Sequence, residues 1–306
     1  MPRISVILPV FNGEEHIHES LNSLLSQTYT DLEIIVVDDA STDSTLSMIE
    51  QIADPRIKVL AQGINQGPAA CTRIGLEMAT GDYIARQDHD DFSHPDRLRL
   101  QLAFLDDNPD HGLVGTWSDI LSLNSAGEWV KVGSHQHPAI DSILRWRLFW
   151  NNPFVHSSVM MQRSKLELAG SYNASSDRAL LEDYDLFSRI AQVSRVANIP
   201  KVLQFYRQSP NGISQTQYEK ILQGVVTIGA ENCRLAIGNN AGEGILDELI
   251  RHLNHAGTRE RDVRVLLHYA HLLNQLAKSV DGFPNAAWAT EVAPTQLRMM
   301  RNALIE

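Results

Sequence analysis

Three carboxylates fall within four residues at Asp88, Asp90 and Asp91, with His89 between the first two and Phe92-Ser93-His94-Pro95 directly after. Carboxylates this close repel one another, and none is buried cheaply unless a cation or a hydrogen-bonding ligand neutralises it. The chain already carries a formal charge of −11. The cluster therefore reads either as a divalent-metal site or as a solvated Asp-rich turn that caps the next helix. Hard cations such as Mg²⁺ and Mn²⁺ take oxygen ligands, often one or two carboxylates plus the phosphates of a substrate. A second acidic stretch is Leu181-Glu182-Asp183-Tyr184-Asp185-Leu186. On a helix, Asp185 pairs with Arg189 at i,i+4, while Asp183 shares a face with Phe187 and Ile190. Asp183 then sits near the helix start at the edge of an apolar face. A partly desolvated carboxylate there has the raised proton affinity a general base needs. The alternative is an acidic residue that complements the helix dipole.

Elements that could hold these groups in place are legible along the first 120 residues. Residues 4–9, 32–37, 57–60 and 83–86 are short runs rich in β-branched residues and read as strands, with a fifth beginning at 112–117. Between them lie helical patterns over 14–26, over a stretch containing Leu46, Ile49 and Ile52 that Ser41 or Thr42 can cap, and over 68–79. Pro95 is expected at the first position of a helix burying Leu98, Leu102 and Leu105. Uniformly apolar strands alternating with amphipathic helices predict an α/β fold, a mostly parallel sheet covered on both faces. In such sheets ligands bind beyond the carboxyl ends of the strands. That rule sets Pro9, Phe11 and Asn12, then Asp38 and Asp39, then residues 88–91 on one rim. The turn after the first strand, Val10-Phe11-Asn12-Gly13-Glu14-Glu15, is acidic and lacks a G-x-G-x-x-G pattern, which excludes a dinucleotide site.

Downstream, 139–150 reads as a helix, 155–161 as a strand, 181–192 as a helix, and 196–206 as strand material interrupted by Pro200. From about 215 the pattern is all-helical. The domain expectation is therefore 1–215 followed by a helical extension, 216–306. With 306 residues, 43% hydrophobic and 21% charged, the chain is an ordinary globular one. Its negative balance argues against nucleic acid as a partner. Cys71 and Cys233 show no metal-type spacing, and no run approaches the roughly 20 apolar residues of a spanning helix. A cytoplasmic location follows as the expectation, with any membrane association peripheral.

Three stretches resemble successive motifs of family 2 glycosyltransferases: Ser5-Val6-Ile7-Leu8-Pro9-Val10-Phe11-Asn12, Ile35-Val36-Val37-Asp38-Asp39-Ala40-Ser41-Thr42-Asp43 and Tyr83-Ile84-Ala85-Arg86-Gln87-Asp88-His89-Asp90-Asp91. Glu182-Asp183-Tyr184-Asp185-Leu186 resembles a fourth, in the family's order, and the resemblance covers residues 3–215. It implies the GT-A fold, an inverting displacement, a Mn²⁺ or Mg²⁺ cofactor and a nucleotide-sugar donor, by preference a UDP-sugar. The transferred group would be a hexosyl or N-acetylhexosaminyl unit and the acceptor a glycan or lipid-linked hydroxyl, as in surface polysaccharide biosynthesis. It also implies roles. Asp39 would accept the base's imino N–H, and Pro9, Phe11 and Asn12 would line the base and ribose pocket. Asp88 would approach the ribose and, with Asp90, the metal; Asp183 would be the catalytic base. His156 matches a family histidine on the acceptor side. Trp146, Phe149 and Trp150 offer a stacking surface for an acceptor sugar or pack as core, Trp150 being the acceptor-side candidate.

The chain departs from the family pattern at three places. Cys71-Thr72-Arg73-Ile74-Gly75 stands where relatives carry Arg-Asn or Asn-Arg, leaving Arg73 to reach a phosphate. Tyr206-Arg207-Gln208-Ser209 lacks a downstream histidine, so a diphosphate contact there would come from Arg207 or from elsewhere. His89 is a bystander or a third ligand. A nucleotidyltransferase or a non-catalytic sugar-nucleotide-binding protein is the alternative, although the acidic first turn offers the former no basic phosphate loop. Self-association through the C-terminal helices is the remaining partner expectation.

Overall fold

The computed structural model describes residues 2–173, 180–209, 212, 216–238, 244–254, 263–282 and 292–293. The chain forms two compact units, Met1–Ala139 with Phe154–Thr216, and Ile140–Pro153 with Gln217–Glu306. Residues 140–153, placed by sequence within 1–215, thus group with the helical tail. The parts of that tail at 239–243, 255–262, 283–291 and 294–306 lie outside the described residues.

The first unit is built on a nine-stranded sheet in the order β3-β2-β1-β4-β8-β6-β9-β5, with β7 paired to β6. Strands β1 (Ile4–Val10), β2 (Leu32–Asp38), β3 (Ile57–Ala61) and β4 (Tyr83–Arg86) are mutually parallel, with Val10 opposite Asp38 and Ile7 opposite Arg86. β1 and β2 are buried along their whole length, as their mostly apolar runs require, with Ser5, Glu33 and Asp38 buried among them. One face packs Val6, Leu8, Ile34 and Val36 against Ile17, Leu21 and Leu24 of α1 (Ile17–Leu25), Ile49 of α2 (Thr45–Glu50), and Leu98, Leu102 and Leu105 of α4 (Arg97–Asp107). The other receives α3 (Pro68–Met78) so closely that a Cβ on Gly75 would lie 2.7 Å from Ile7 Cγ2.

Beyond β4 the sheet becomes mixed. The strand expected over 155–161 is a 3₁₀ turn, His156–Ser158, followed by the three-residue β8 (Met160–Gln162), antiparallel to β4 and β6. β6 (His111–Leu123) turns back into β7 (Trp129–His135), a hairpin absent from the sequence expectation. β9 (Arg195–Arg207) runs parallel to β6 and stays paired through Pro200 by jumping register from Ile199 to Val202. Proline has no N–H to give the ladder there. β5 (Phe92–Ser93) pairs with β9, so Pro95 precedes α4, which begins at Arg97. α5 (Asp141–Arg147) belongs to the second unit, and α6 (Arg163–Leu168) and α7 (Glu182–Val193) to the first. The second unit adds α8 (Tyr218–Ile237), α9 (Ile245–Leu253) and α10 (Val263–Ser279).

Glu33 is a charge buried within β2. Its carboxylate accepts from Ser5 Oγ (2.6 Å), from the Thr80 N–H and Oγ1 (both 2.7 Å), and from Lys58 Nζ (2.5 Å). Burial works against the charge, yet these donors hold the carboxyl below its ordinary value, at about 2. Stability from this group is therefore complete above the unfolded carboxyl's range and is lost as pH falls from about 4.5 to about 2. Lys58 is half-exposed, so solvent screens part of the pair. Glu33→Gln is expected to cost about 2 kcal/mol at neutral pH. Urea unfolding as a function of pH should show the gap between wild type and variant closing in that acid window.

Candidate active site

The carboxyl ends of β1, β2 and β4 form the rim, and the loops leaving them are stitched together. Asn12 is left-handed at φ 49°. Its N–H donates to Ser41 Oγ at 2.9 Å, and its Oδ1 accepts the Thr42 N–H at 2.8 Å. Ser41 and Thr42 are thus engaged by Asn12, and Asp43 Oδ1 accepts the Thr45 N–H at 3.0 Å at the start of α2. Asp39 is buried, and its two oxygens accept the Gln66 and Gly67 N–H groups at 2.7 and 2.8 Å, which fixes the entry to α3. Pro9 is buried in β1, whereas Phe11 is 44% exposed at the mouth of the rim. Arg73, on α3, is half-exposed and pairs with Glu77 at 3.1 Å.

The acidic loop separates its carboxylates by environment. Asp88 pairs with Arg86 Nη2 at 2.8 Å. Burial alone would raise the Asp88 carboxyl, but the Arg86 guanidinium beside it holds it below its ordinary value. Asp90 is pushed up, first by burial and then by Asp88, against the pull of His89. Among the described residues its carboxylate makes no ion pair and no hydrogen bond to another residue's side chain. Asp91 is fully buried; it accepts Ser157 Oγ at one oxygen and the Arg207 N–H at the other, 2.9 Å away. Burial, Asp90 and Asp88 raise it well above the carboxylate range. Asp91 thus ties the acidic loop to the His156–Ser158 turn and to the end of β9. His89 lies over Gly13, where a Cβ would meet its Cδ2 at 2.6 Å. A side chain at 13 would have to displace the His89 imidazole or the Val10 side chain.

These carboxylates match the ligand preferences of a Mg²⁺ or Mn²⁺ ion. Asp90 is short of countercharge, whereas Asp88 already has Arg86. No group of three or more His, Cys, Asp or Glu side chains converges as a metal cage among the described residues.

On the facing side, Asp183 lies in the first turn of α7 and accepts the Tyr184 N–H at 2.7 Å. The expected Asp185–Arg189 pair is present at 2.7 Å, and Arg189 also reaches the carbonyls of Ala169 and Ser171. Glu182 is buried, and burial together with Asp183 pushes it up to about 8. His156 Nε2 lies 3.0 Å from the Tyr172 hydroxyl, and its ring meets Phe187 edge-on. Burial and Arg86 push His156 down to about 3, so it is neutral at physiological pH. Tyr172 is raised by burial, in an environment that contains Arg86, Glu182, Asp183 and Asp88. Both acidic stretches, and Arg86, are therefore within electrostatic reach of Tyr172.

The family model for Glycosyl transferase family 2 matches residues 5–168. The chain belongs to glycosyltransferase family 2. An uncharacterized glycosyltransferase of Haemophilus influenzae is 32% identical over 219 residues, spanning 70% of this chain and 68% of that protein. In fold, the chain is similar to Staphylococcus aureus TarS 1–349 in complex with UDP-GlcNAc: TM-score 0.63, 19% identity, 99% of this chain and 89% of that one. It is also similar to the Pyrobaculum calidifontis mannosyltransferase PcManGT in complex with GDP-Man and Mn²⁺, with TM-score 0.55, 21% identity, and coverage of 99% and 80%. The parallel half-sheet, the mixed half and the flanking helices are the GT-A arrangement of such glycosyltransferases. Trp150 lies in the second unit, its ring 4.3 Å from Trp146 and its carbonyl accepting from Asn254 at 3.0 Å. Sequence reading missed Arg86 and Arg97, because a cation inside an apolar pattern carries no signal of the acceptors it meets.

Proposed function

We propose that this glycosyltransferase is inverting and metal-dependent, and moves a hexosyl or N-acetylhexosaminyl unit from a nucleoside-diphosphate donor, UDP-linked first, to a glycan or lipid-linked hydroxyl. The observation that carries the reading is that both acidic stretches act on one buried group: Tyr172, 3.0 Å from His156, feels Asp88 from one stretch and Glu182 and Asp183 from the other. The nucleotide-sugar and Mn²⁺ complexes of the two structural neighbours support it.

Asp90, with Asp88 beside it, would hold the metal, which when bound supplies Lewis-acid stabilisation of the departing diphosphate. Asp183 takes the proton of the acceptor hydroxyl as that oxygen attacks the anomeric carbon from the face opposite the leaving group. One base suffices, and no second carboxylate flanking the bond is required as in retaining hydrolysis. Pro9, Phe11 and Asn12 line the base and ribose. Each Asp39 oxygen accepts one backbone N–H and keeps a lone pair for the N–H of a uracil. Arg73 would have to leave Glu77 to reach a phosphate. His156, held neutral, faces the acceptor with Tyr172. No helix among the described residues is long and apolar enough to cross a membrane. The proposed place of action is the cytoplasm, at the inner membrane face where the acceptor is lipid-linked.

A thermal-shift panel of nucleotide-sugars with and without Mn²⁺ tests the reading. A donor present at 100 times its Kd adds about 2.7 kcal/mol of stability, several degrees in Tm, and the shift should need both metal and one donor. No shift with any donor would count against it.

A further inference from the structure

We propose that Arg207 is a positioning residue that clamps the acidic loop 88–91, and does not bind the donor's diphosphate. The inference rests on the reading of that loop as the metal and diphosphate site. Arg207 closes β9, and its side chain is only 4% exposed. Its guanidinium Nη1 donates to the Asp90 carbonyl at 2.7 Å, and Nη2 pairs with the Glu19 carboxylate from α1. The same residue's backbone N–H reaches Asp91 Oδ1 at 2.9 Å. Two aromatic rings cover the cation, Phe92 of β5 with its centroid at 4.9 Å and Trp129 of β7 at 5.4 Å. Phe92 in turn stacks on Phe205 at 4.7 Å.

This geometry decides what the cation can do. A guanidinium recognises phosphate edge-on, through paired N–H groups in its plane. Here each terminal nitrogen already has a partner, two rings lie against the cation, and Nε, although it has no partner, is buried, so no paired N–H edge faces solvent. Glu19 cancels the charge, so little positive potential is left to attract a diphosphate. His16, whose ring meets Trp129 edge-on at 5.6 Å, adds none, since burial and Arg207 keep it below its ordinary value. The loop, in contrast, depends on this contact. Asp90's carbonyl and Asp91's carboxylate are both fixed by Arg207, and between them they set where the Asp90 side chain points. α1, the β6–β7 hairpin and β9 therefore converge on one residue that orients the proposed metal ligand.

The two roles predict opposite signs for one substitution. UDP and GDP binding is measured by titration calorimetry with Mn²⁺ and with EDTA, on wild type, Glu19→Gln and Arg207→Lys. As a clamp, both variants should weaken the Mn²⁺-dependent binding by about tenfold and leave the metal-free affinity within about twofold. As a phosphate ligand, Arg207 would be released by Glu19→Gln. That variant would then bind nucleotide more tightly, and Arg207→Lys would weaken binding equally with and without metal; either result overturns the proposal. Glu19 is more than half exposed, so its variant carries the test even if Arg207→Lys folds poorly. A wild-type protein that binds neither nucleotide with Mn²⁺ would overturn the loop reading itself, a pattern distinct from a failed clamp.

Discussion

Replacing Asp183 by asparagine is expected to lower turnover by about 10²- to 10⁴-fold, the usual worth of a positioned general base, and to leave donor binding within about twofold. The substitution is nearly isosteric, and the amide oxygen can go on accepting the Tyr184 N–H that now holds Asp183 at 2.7 Å. Only the proton-accepting charge is removed. Its neighbour will not replace it readily: Glu182 is buried and pushed up to about 8, so it is largely protonated at neutral pH. The helix N-terminus stabilises a carboxylate in this first turn, and burial of the pocket opposes that effect. Single-turnover kinetics with donor affinity measured in parallel separates the outcomes. Unchanged turnover would remove Asp183 from the base role. Lost turnover with lost donor binding would show that it shapes the donor pocket instead.

The rim was legible because a parallel sheet announces itself twice. Residues 4–10 and 32–37 are apolar apart from Ser5 and Glu33 and give way to Phe11-Asn12 and Asp38-Asp39, so strand ends and candidate ligands appear at the same positions. The second half of the sheet gives no such signal. β7 has no buried residue, and its one alternation, Val130-Lys131-Val132, leaves both valines exposed, so it marks no core face. Residues 140–153 misled for a related reason: Trp146, Phe149 and Trp150 show an apolar face but not which partner covers it. Their carbonyl neighbours identify that partner, with Asn232 donating to the Leu148 oxygen at 2.6 Å and Asn254 to that of Trp150 at 3.0 Å. The buried polar side chains were the least legible. Arg86, Asp91, Arg97 and Gln204 look like surface residues in a composition and become interior only once four separate chain segments have been folded around them.

Arg97→Leu is expected to cost about 3–5 kcal/mol, the usual penalty for removing one side of a buried charged network. The side chain is fully buried at the start of α4. Its Nη1 lies 2.9 Å from Ser93 Oγ, 3.0 Å from Gln87 Oε1 and 3.1 Å from Gln204 Oε1. Nη2 donates to the Arg86 carbonyl at 2.7 Å and the Val159 carbonyl at 3.2 Å, and Nε to Gln101 Oε1 at 3.1 Å. Burial pushes this guanidinium down to about 9, which still leaves it charged at neutral pH. Replacing an entire buried ionic group by apolar residues can be neutral or stabilising. Leucine replaces only the donor: the Val159 carbonyl keeps the Arg86 N–H at 3.1 Å and the Ser93 hydroxyl can serve one of Gln87 and Gln204, but the Arg86 carbonyl, Gln101 Oε1 and the other glutamine oxygen lose the guanidinium in a dry interior, each worth about 1–3 kcal/mol. The affected carbonyls also flank the site: Arg86 precedes Gln87 and Asp88, and Val159 follows the turn that carries His156 and Ser157. The loss should therefore appear twice, as a lower urea midpoint and as weaker Mn²⁺-dependent nucleotide binding under conditions where the variant is fully folded. A variant within about 1 kcal/mol of wild type would mean that the orphaned acceptors find water, and that Arg97 fills space without holding the two halves of the site together.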